Sequence, residues 1–421
     1  MAMPSADASL GTPDSTRERV RVLTLATAGF TLFFAVWVMF AIVGIPLRKE
    51  LGLDDGEFAL LVAIPILTGS LLRVPIGMLT DRLGGRIVYT ALLLVTAMPT
   101  FLVCWAHGYA TLVVLAFFVG LAGTSFAVGI AWVSAWYPAA SQGFALGTFG
   151  AGNVGASVTK LLAPTLVTLV AAGGALGGVV PGGWRLVPFV YGIALVAAAA
   201  VVWVVAPTPD RRPGRGRTIT EMSRPLRVLR VWRFGLYYIV VFGGYVALAL
   251  WLPKYYVDVY GFDLRVAGVL TSIFVFPASL LRPFGGWLSD RLGARAITYT
   301  SFIVMAAALA GLSAPMGIWP FTALVFVVGA MMGIGKASVY RYIADYFPRD
   351  IGVVGGLVGA IGGLGGFVLP LVFAWAQGWS GRPQSTFLVL LAASLVSLAW
   401  LHVIVWRMRR VAAPVAEGVV P

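Results

Sequence analysis

Leu71-Leu-Arg-Val-Pro-Ile-Gly-Met-Leu-Thr-Asp-Arg-Leu-Gly-Gly-Arg86 returns 209 residues later as Leu280-Leu-Arg-Pro-Phe-Gly-Gly-Trp-Leu-Ser-Asp-Arg-Leu-Gly-Ala-Arg295, with ten of sixteen positions identical. Chance does not keep so long a match, so the chain is a duplication. The register recurs further on. Gly123 and Trp136-Tyr137-Pro138 fall on Gly333 and Tyr346-Phe347-Pro348 at an offset of 210, and Gly152-Asn153-Val154-Gly155 falls on Gly362-Gly363-Leu364-Gly365. Each copy of the quoted stretch begins apolar and ends in a charged loop, the pattern of a membrane span meeting water.

Around the repeat the chain is overwhelmingly apolar. Of its 421 residues 60% are hydrophobic and 11% charged, with mean hydropathy +0.93. Soluble domains carry roughly a quarter charged residues, so a soluble globular enzyme is excluded. Apolar runs near 22–46, 58–80, 86–106, 109–135, 143–172, 186–206, 234–254, 265–289, 295–316, 318–340, 351–375 and 385–406 predict twelve spans. The first is too long for a signal-peptide core and lacks a cleavage site, so it reads as a retained span. Arginines cluster in alternate connections, most densely between the sixth and seventh spans, and the positive-inside rule then places both termini in the cytoplasm. The expected fold is all-α and multi-pass: a cytoplasmic segment over 1–21, a six-helix bundle over 22–206, a cytoplasmic linker over 207–233, a second, pseudo-symmetric bundle over 234–406, and a cytoplasmic tail over 407–421. Parallel duplication of this kind builds many secondary transporters, with the substrate near the midplane between the halves.

The charge balance is 30 Lys+Arg against 16 Asp+Glu, formally +14. With no water-facing domain to carry a basic patch, this surplus belongs to loops at the bilayer and not to a nucleic-acid partner. One cysteine, Cys104, rules out a disulfide framework and a thiolate metal cluster. No metal or cofactor is expected. Gly150-x-Gly152-x-x-Gly155 matches a dinucleotide fingerprint, but it lies inside an apolar run with no strand before it; Gly335-Lys336 lacks the rest of a phosphate loop. His107 stands at a span end and His402 alone on an apolar helix, so no catalytic constellation converges.

Two arginines decide the chemistry. Arg73 lies thirteen residues before Arg86 and two turns above the loop motif, so at 1.5 Å rise per residue it sits roughly 12 Å into the hydrocarbon. Arg282 occupies the same place in the other half. A guanidinium at that depth costs about 2.5 to 3.5 kcal/mol even on the lenient insertion scale. No Asp or Glu stands in the interior of a predicted span, because Asp81, Asp290 and Asp345 are all at ends. The expected partner is therefore a ligand: a small anion gripped by two planar five-donor forks.

The ends of the repeat, Gly77, Asp81, Arg82 and Arg86 in one half and Gly286, Asp290, Arg291 and Arg295 in the other, resemble the cytoplasmic loop motif of the major facilitator superfamily. A narrower likeness lies in the fifth and eleventh spans. Gly150-Ala-Gly-Asn-Val-Gly-Ala-Ser-Val-Thr159 and Gly355-Gly-Leu-Val-Gly-Ala-Ile-Gly-Gly-Leu-Gly-Gly-Phe-Val-Leu-Pro370 resemble the two nitrate signature segments of the nitrate/nitrite porter family. Their glycines include Gly150, Gly152, Gly155, Gly359, Gly362, Gly363 and Gly365. The resemblance implies a monomeric transporter in the inner (cytoplasmic) membrane, with nitrate clamped between Arg73 and Arg282. It further implies an amide from Asn153 and aromatic walls from Phe126, Tyr238, Phe242 and, on the first span, Phe40. Nitrate suits such a site, since its edge accepts bidentate guanidinium contacts and its face stacks on rings.

Two lysines bear on coupling. Lys160 follows Asn153 by seven residues, two helical turns along one face, and Lys336 is the repeat partner of Phe126. Moving an anion into a negative interior costs about 2.3 kcal/mol per 100 mV, so something must compensate. With no carboxylate in the core, Lys160 and Lys336 are the candidates to carry a proton, ahead of Tyr238 and His402. The expected function is nitrate–proton symport, with protons, nitrate, nitrite and the bilayer as partners. Nitrate/nitrite antiport and transport of another small anion are the alternatives.

Overall fold

The computed structural model describes residues 16–412 except 172, 177 and 178, and nearly all of them are helical. The outer parts of the expected N-terminal segment and tail, 1–15 and 413–421, lie outside the described residues. The first span runs over Thr16–Trp37 and Phe40–Leu51, past Pro46, where the apolar pattern predicts its end. It stops at Gly52, whose φ of 65° is cheap only for glycine. The third, fourth and sixth spans are Gly85–Trp105, Tyr109–Trp136 and Gly183–Val205; the seventh is Leu229–Tyr260, with a π turn at Ile239–Gly243. The ninth to twelfth are Ala294–Leu312, Ile318–Tyr346, Ile351–Ser380 and Ser385–Ala412.

The second and eighth spans are broken at the arginines. Asp55–Leu71 meets Arg73–Leu83 at a bend of 43°, and Leu264–Leu280 meets Arg282–Leu292 at 40°. Pro75 and Pro283 supply the cause. Neither has the N–H that would continue the helical ladder across the joint, so each helix kinks there.

Among the described residues, nine helices are long and apolar enough to cross a membrane, and the two bent pairs make eleven. The twelfth expected span, the fifth in order, is α-helical over Gln142–Gly150 and Gly155–Leu169, joined by a 3-10 turn at Ala151–Val154, and is not among those eleven. Asn153, Lys160 and its glycines dilute its apolar character, and a tight turn at Ala151–Val154 interrupts it.

The halves close on each other at the end bearing the loop motifs. Arg73–Leu83 packs on the eleventh span, and Arg282–Leu292 packs on Gln142–Gly150. Glycines permit the approach: a Cβ on Gly286 would strike the carbonyl of Gly143, and one on Gly77 the carbonyl of Gly352. Asp290 accepts bonds from the amides of Gly143 (2.9 Å) and Phe144 (2.8 Å) and from Arg341 Nε (2.7 Å). The connection between the halves crosses the same end. Arg217 Nη2 donates to Asp350 Oδ1 at 2.7 Å, while the Gly214 amide donates to the Asp81 carbonyl at 2.9 Å. At the opposite end a cavity of about 100 Å³ separates the first, second and fifth spans from the seventh.

Candidate anion-binding site

The two kinks deliver Arg73 and Arg282 to one place. Both are almost wholly buried, at 1% and 0% exposure. Their guanidinium carbons lie 5.4 Å and 5.7 Å from the centroid of the same ring, Phe126. Each is seated on a glycine of the opposite half. A Cβ on Gly150 would overlap the Arg282 guanidinium, and one on Gly359 would lie 3.1 Å from Arg73 Nη1. Arg73 and Arg282 are repeat partners 209 residues apart, and Gly359 is the neighbour of Ala360, the partner of Gly150 in the 210-residue register of these spans, so the two contacts are counterparts displaced by one residue.

Their hydrogen bonding is not equivalent. Arg73 Nε donates to the Gly123 carbonyl at 3.0 Å and Nη1 to the Gly359 carbonyl at 2.5 Å, and its face lies over Trp37 and Phe242 as well as Phe126. Arg282 has no hydrogen-bond partner on Nε, Nη1 or Nη2. Nearby buried polar groups share that condition: the amide O and N of Asn153 and the hydroxyl of Tyr238. A buried donor left without a partner costs on the order of 1 to 3 kcal/mol, more when charged. Several together, beside a ring, with no carboxylate among them, form a surface that an anion would satisfy.

The ring system is continuous. Tyr238 and Phe242 stack on Phe126 with centroids 6.3 Å and 6.4 Å away, and on each other at 5.1 Å. The structure brings these three expected wall residues together with four others that the sequence did not single out. Phe30 and Phe149 extend the stack beneath Phe126. Tyr340 meets Phe126 and Tyr238 edge-on at 5.1 Å and 5.0 Å, anchored by its hydroxyl on the Gly355 carbonyl at 2.8 Å. From the first span it is Trp37 that covers Arg73, its indole N–H held by the Pro65 carbonyl at 2.7 Å. Phe40 lines the outer cavity instead. Trp37 lines that cavity as well, on the other side of a turn at Val38–Met39.

The other candidates divide likewise. Lys160 is exposed in the outer cavity with Trp37, Phe40 and Tyr245, whereas Asn153 is fully buried. Asn153 itself sits in the tight turn at Ala151–Val154, and Ala156, between it and Lys160, also lines the outer cavity. Lys336 is fully buried, its Nζ 3.6 Å above the centre of the Tyr245 ring and without a hydrogen bond. Tyr245 also lines the outer cavity and shares a 3.1 Å hydrogen bond with Ser279. Of the signature glycines, Gly152 and Gly155 admit the first span, Gly362 admits Tyr238, Gly365 admits Ile239, and Gly363 stands against Ser70. In the loop motifs, Arg86 stacks on Trp203 at 4.3 Å and Arg291 on Trp287 at 4.4 Å, Arg82 is exposed, and Arg295 Nε meets the Tyr342 hydroxyl at 3.3 Å. Asp81 is buried against Gly352, the counterpart of Asp290 against Gly143.

Comparison with known proteins places the chain in a family. Residues 25–270 and 260–419 match the model of the Major Facilitator Superfamily. A Thermus thermophilus protein named "Probable nitrate/nitrite antiporter NarK1" is 53% identical over 93% of both chains. The "Nitrite extrusion protein" of Bacillus subtilis is 30% identical over 91% of this chain and 93% of its own, and a Mycobacterium tuberculosis "Probable nitrate/nitrite transporter NarK2" is 34% identical over 88% and 93%. Among solved structures, the facilitator-superfamily transporter FucP in its outward conformation superposes with a TM-score of 0.73 at 16% identity, covering 92% of this chain and 99% of its own. The human organic anion transporter MFSD10 gives 0.72 at 14% identity over 91% and 99%. At such identities these two structures speak for the fold alone.

Proposed function

Because the chain belongs to the nitrate/nitrite porter family of the Major Facilitator Superfamily, we propose that it carries nitrate, and nitrite at the same site, across the cytoplasmic membrane by alternating access, with the anion held between Arg73 and Arg282. It is a multi-pass membrane transporter and not an enzyme. The observation that carries the reading is Arg282: three buried guanidinium nitrogens without a partner, facing the ring that Arg73 also faces. A planar anion placed there accepts from the fork edge-on, leaves its face to Phe126, and takes further donors from Asn153 and Tyr238. The relatives named for nitrate or nitrite support the choice of anion.

For coupling we favour proton symport by a monomer with both termini in the cytoplasm. Lys336 is a buried amine within the field of Arg282, with no hydrogen-bond or ion-pair partner on its Nζ among the described residues. Nitrate at Arg282 cancels one of two like charges, and Lys336 then carries its proton with the anion through the reorientation. A second reading, nitrate/nitrite exchange without a proton, is favoured by the printed name of the Thermus relative.

Proteoliposomes loaded with nitrate or nitrite, given the other anion outside with and without a pH gradient, test both. Acid outside should drive net nitrate uptake without a trans anion. A flux that demands the trans anion and ignores pH establishes exchange instead, and no flux of either anion removes the nitrate assignment.

A further inference from the structure

The two copies of the loop motif end in the same local geometry and are filled differently. In the first half, Gly84 (φ 91°) begins Gly85–Leu102, whose first amides have no partner within the helix. A carboxylate from the connection between the halves occupies that end. Asp210 Oδ2 accepts from the Arg86 amide at 2.8 Å, and Oδ1 accepts from the indole N–H groups of Trp132 (3.1 Å) and Trp136 (3.0 Å). The Arg86 side chain is turned aside, with Nη2 on the Trp203 carbonyl at 2.7 Å.

The equivalents in the second half are Gly293, Ala294, Arg295, Tyr342 and Tyr346, by the same offsets of 209 and 210. Gly293 has the same backbone, φ 85°, and Ala294–Leu312 has no side-chain cap. Here these residues line a cavity of about 640 Å³, closed on its far side by Tyr299, His402 and Trp406. Arg295 turns inward, bonding the Tyr342 hydroxyl, so the position that holds a carboxylate in one half offers a guanidinium and uncapped amides in the other. Asp345 also borders the cavity, but its carboxylate is paired with Arg341.

We propose that this cavity binds the phosphodiester head group of an anionic phospholipid. A helix N-terminus beside a guanidinium is built for phosphate, and the first-half copy already holds an anionic group on the equivalent atoms. The location selects a lipid. The cavity opens at the loop end of the twelfth span, the least buried of the apolar helices, where Leu395, Val396 and Val403 are exposed below it to take acyl chains. Trp406 at its rim and Arg407 just beyond it are residue types that favour the head-group layer.

The full chain, delipidated in a neutral detergent, would be mixed with phosphatidylglycerol, phosphatidylcholine or inorganic phosphate and followed by native mass spectrometry and thermal unfolding. One phosphatidylglycerol should be retained and should raise Tm, whereas phosphatidylcholine and phosphate should not. Retention should fall about fivefold in Arg295→Gln and measurably in His402→Leu, which perturbs a different wall. Arg82→Gln, an equal charge change on an exposed residue of the first half, should leave retention intact. Unchanged retention in both cavity variants, equal loss in Arg82→Gln, or equal stabilisation by free phosphate would each overturn the assignment to a lipid.

Discussion

The guanidinium of Arg282 rests on Gly150 of the opposite half, and that of its repeat partner Arg73 rests on Gly359 in the reciprocal sense. The fits differ in tolerance. A Cβ at Gly150 would overlap the Arg282 fork itself, while one at Gly359 would lie 3.0 Å from the Tyr340 hydroxyl and 3.1 Å from Arg73 Nη1. Overpacking typically costs about 1 to 3 kcal/mol, so Gly150→Ala should weaken nitrate binding by roughly 5- to 150-fold, with a smaller loss in Gly359→Ala. Titration calorimetry on the purified variants reads the difference. Wild-type affinity in Gly150→Ala would detach this glycine from the site.

Exchanging each arginine for lysine should separate binding from folding. Arg73 ties its own half to the other through the carbonyls of Gly123 and Gly359, so Arg73→Lys should lower Tm as well as affinity. Arg282 makes no such bonds, and Arg282→Lys should lose nitrate binding by at least about tenfold with Tm nearly unchanged, because a lysine keeps the charge but not the bidentate fork. Equal Tm losses in the two variants would contradict the asymmetry.

Much of this was legible in the sequence, and the exceptions have identifiable causes. The repeat pairs Arg73 with Arg282, and the absence of acids inside the predicted spans pointed to a ligand for both, whereas in the structure Arg73 bonds the carbonyls of Gly123 and Gly359 and Arg282 alone of the two is left without a hydrogen bond. The kinks at Leu72 and Leu281 were hidden because the prolines that cause them, Pro75 and Pro283, occupy different positions in the two copies. Trp37 lies over Arg73 and lines the same outer cavity as Phe40, and no residue type distinguishes the ring that reaches the guanidinium. Tyr340 could have been found: it follows Lys336 by four residues and therefore shares its face. Among 14 tyrosines and 25 phenylalanines nothing but that spacing distinguished it.

Lys336→Gln should abolish acid-driven nitrate uptake while sparing nitrate counterflow. A glutamine fits near the Tyr245 ring but cannot bind or release a proton, so the loaded carrier would reorient without one. In proteoliposomes the wild-type rate should rise as external pH falls, and the variant should be flat across the same range. A variant that keeps the full pH dependence would remove Lys336 from the coupling step.

Asp290→Asn should shift the carrier away from the loop-closed state. The carboxylate caps the fifth span through the amides of Gly143 and Phe144 and holds Arg341, so three donors from two helices converge on it across the interface between the halves. Charge-assisted bonds are roughly twice as strong as neutral ones, and an asparagine can accept on only one of its two terminal atoms. A single cysteine introduced at Ser289, in a chain with Cys104 replaced, reports the change. Ser289 is 1% exposed in the closed state, on the helix whose Gly286 is seated against Gly143, so its alkylation by a water-soluble maleimide should quicken several-fold in Asp290→Asn. An unchanged rate would mean that the glycine contacts, Gly286 on Gly143 and Gly77 on Gly352, hold the closed end without help from the carboxylate.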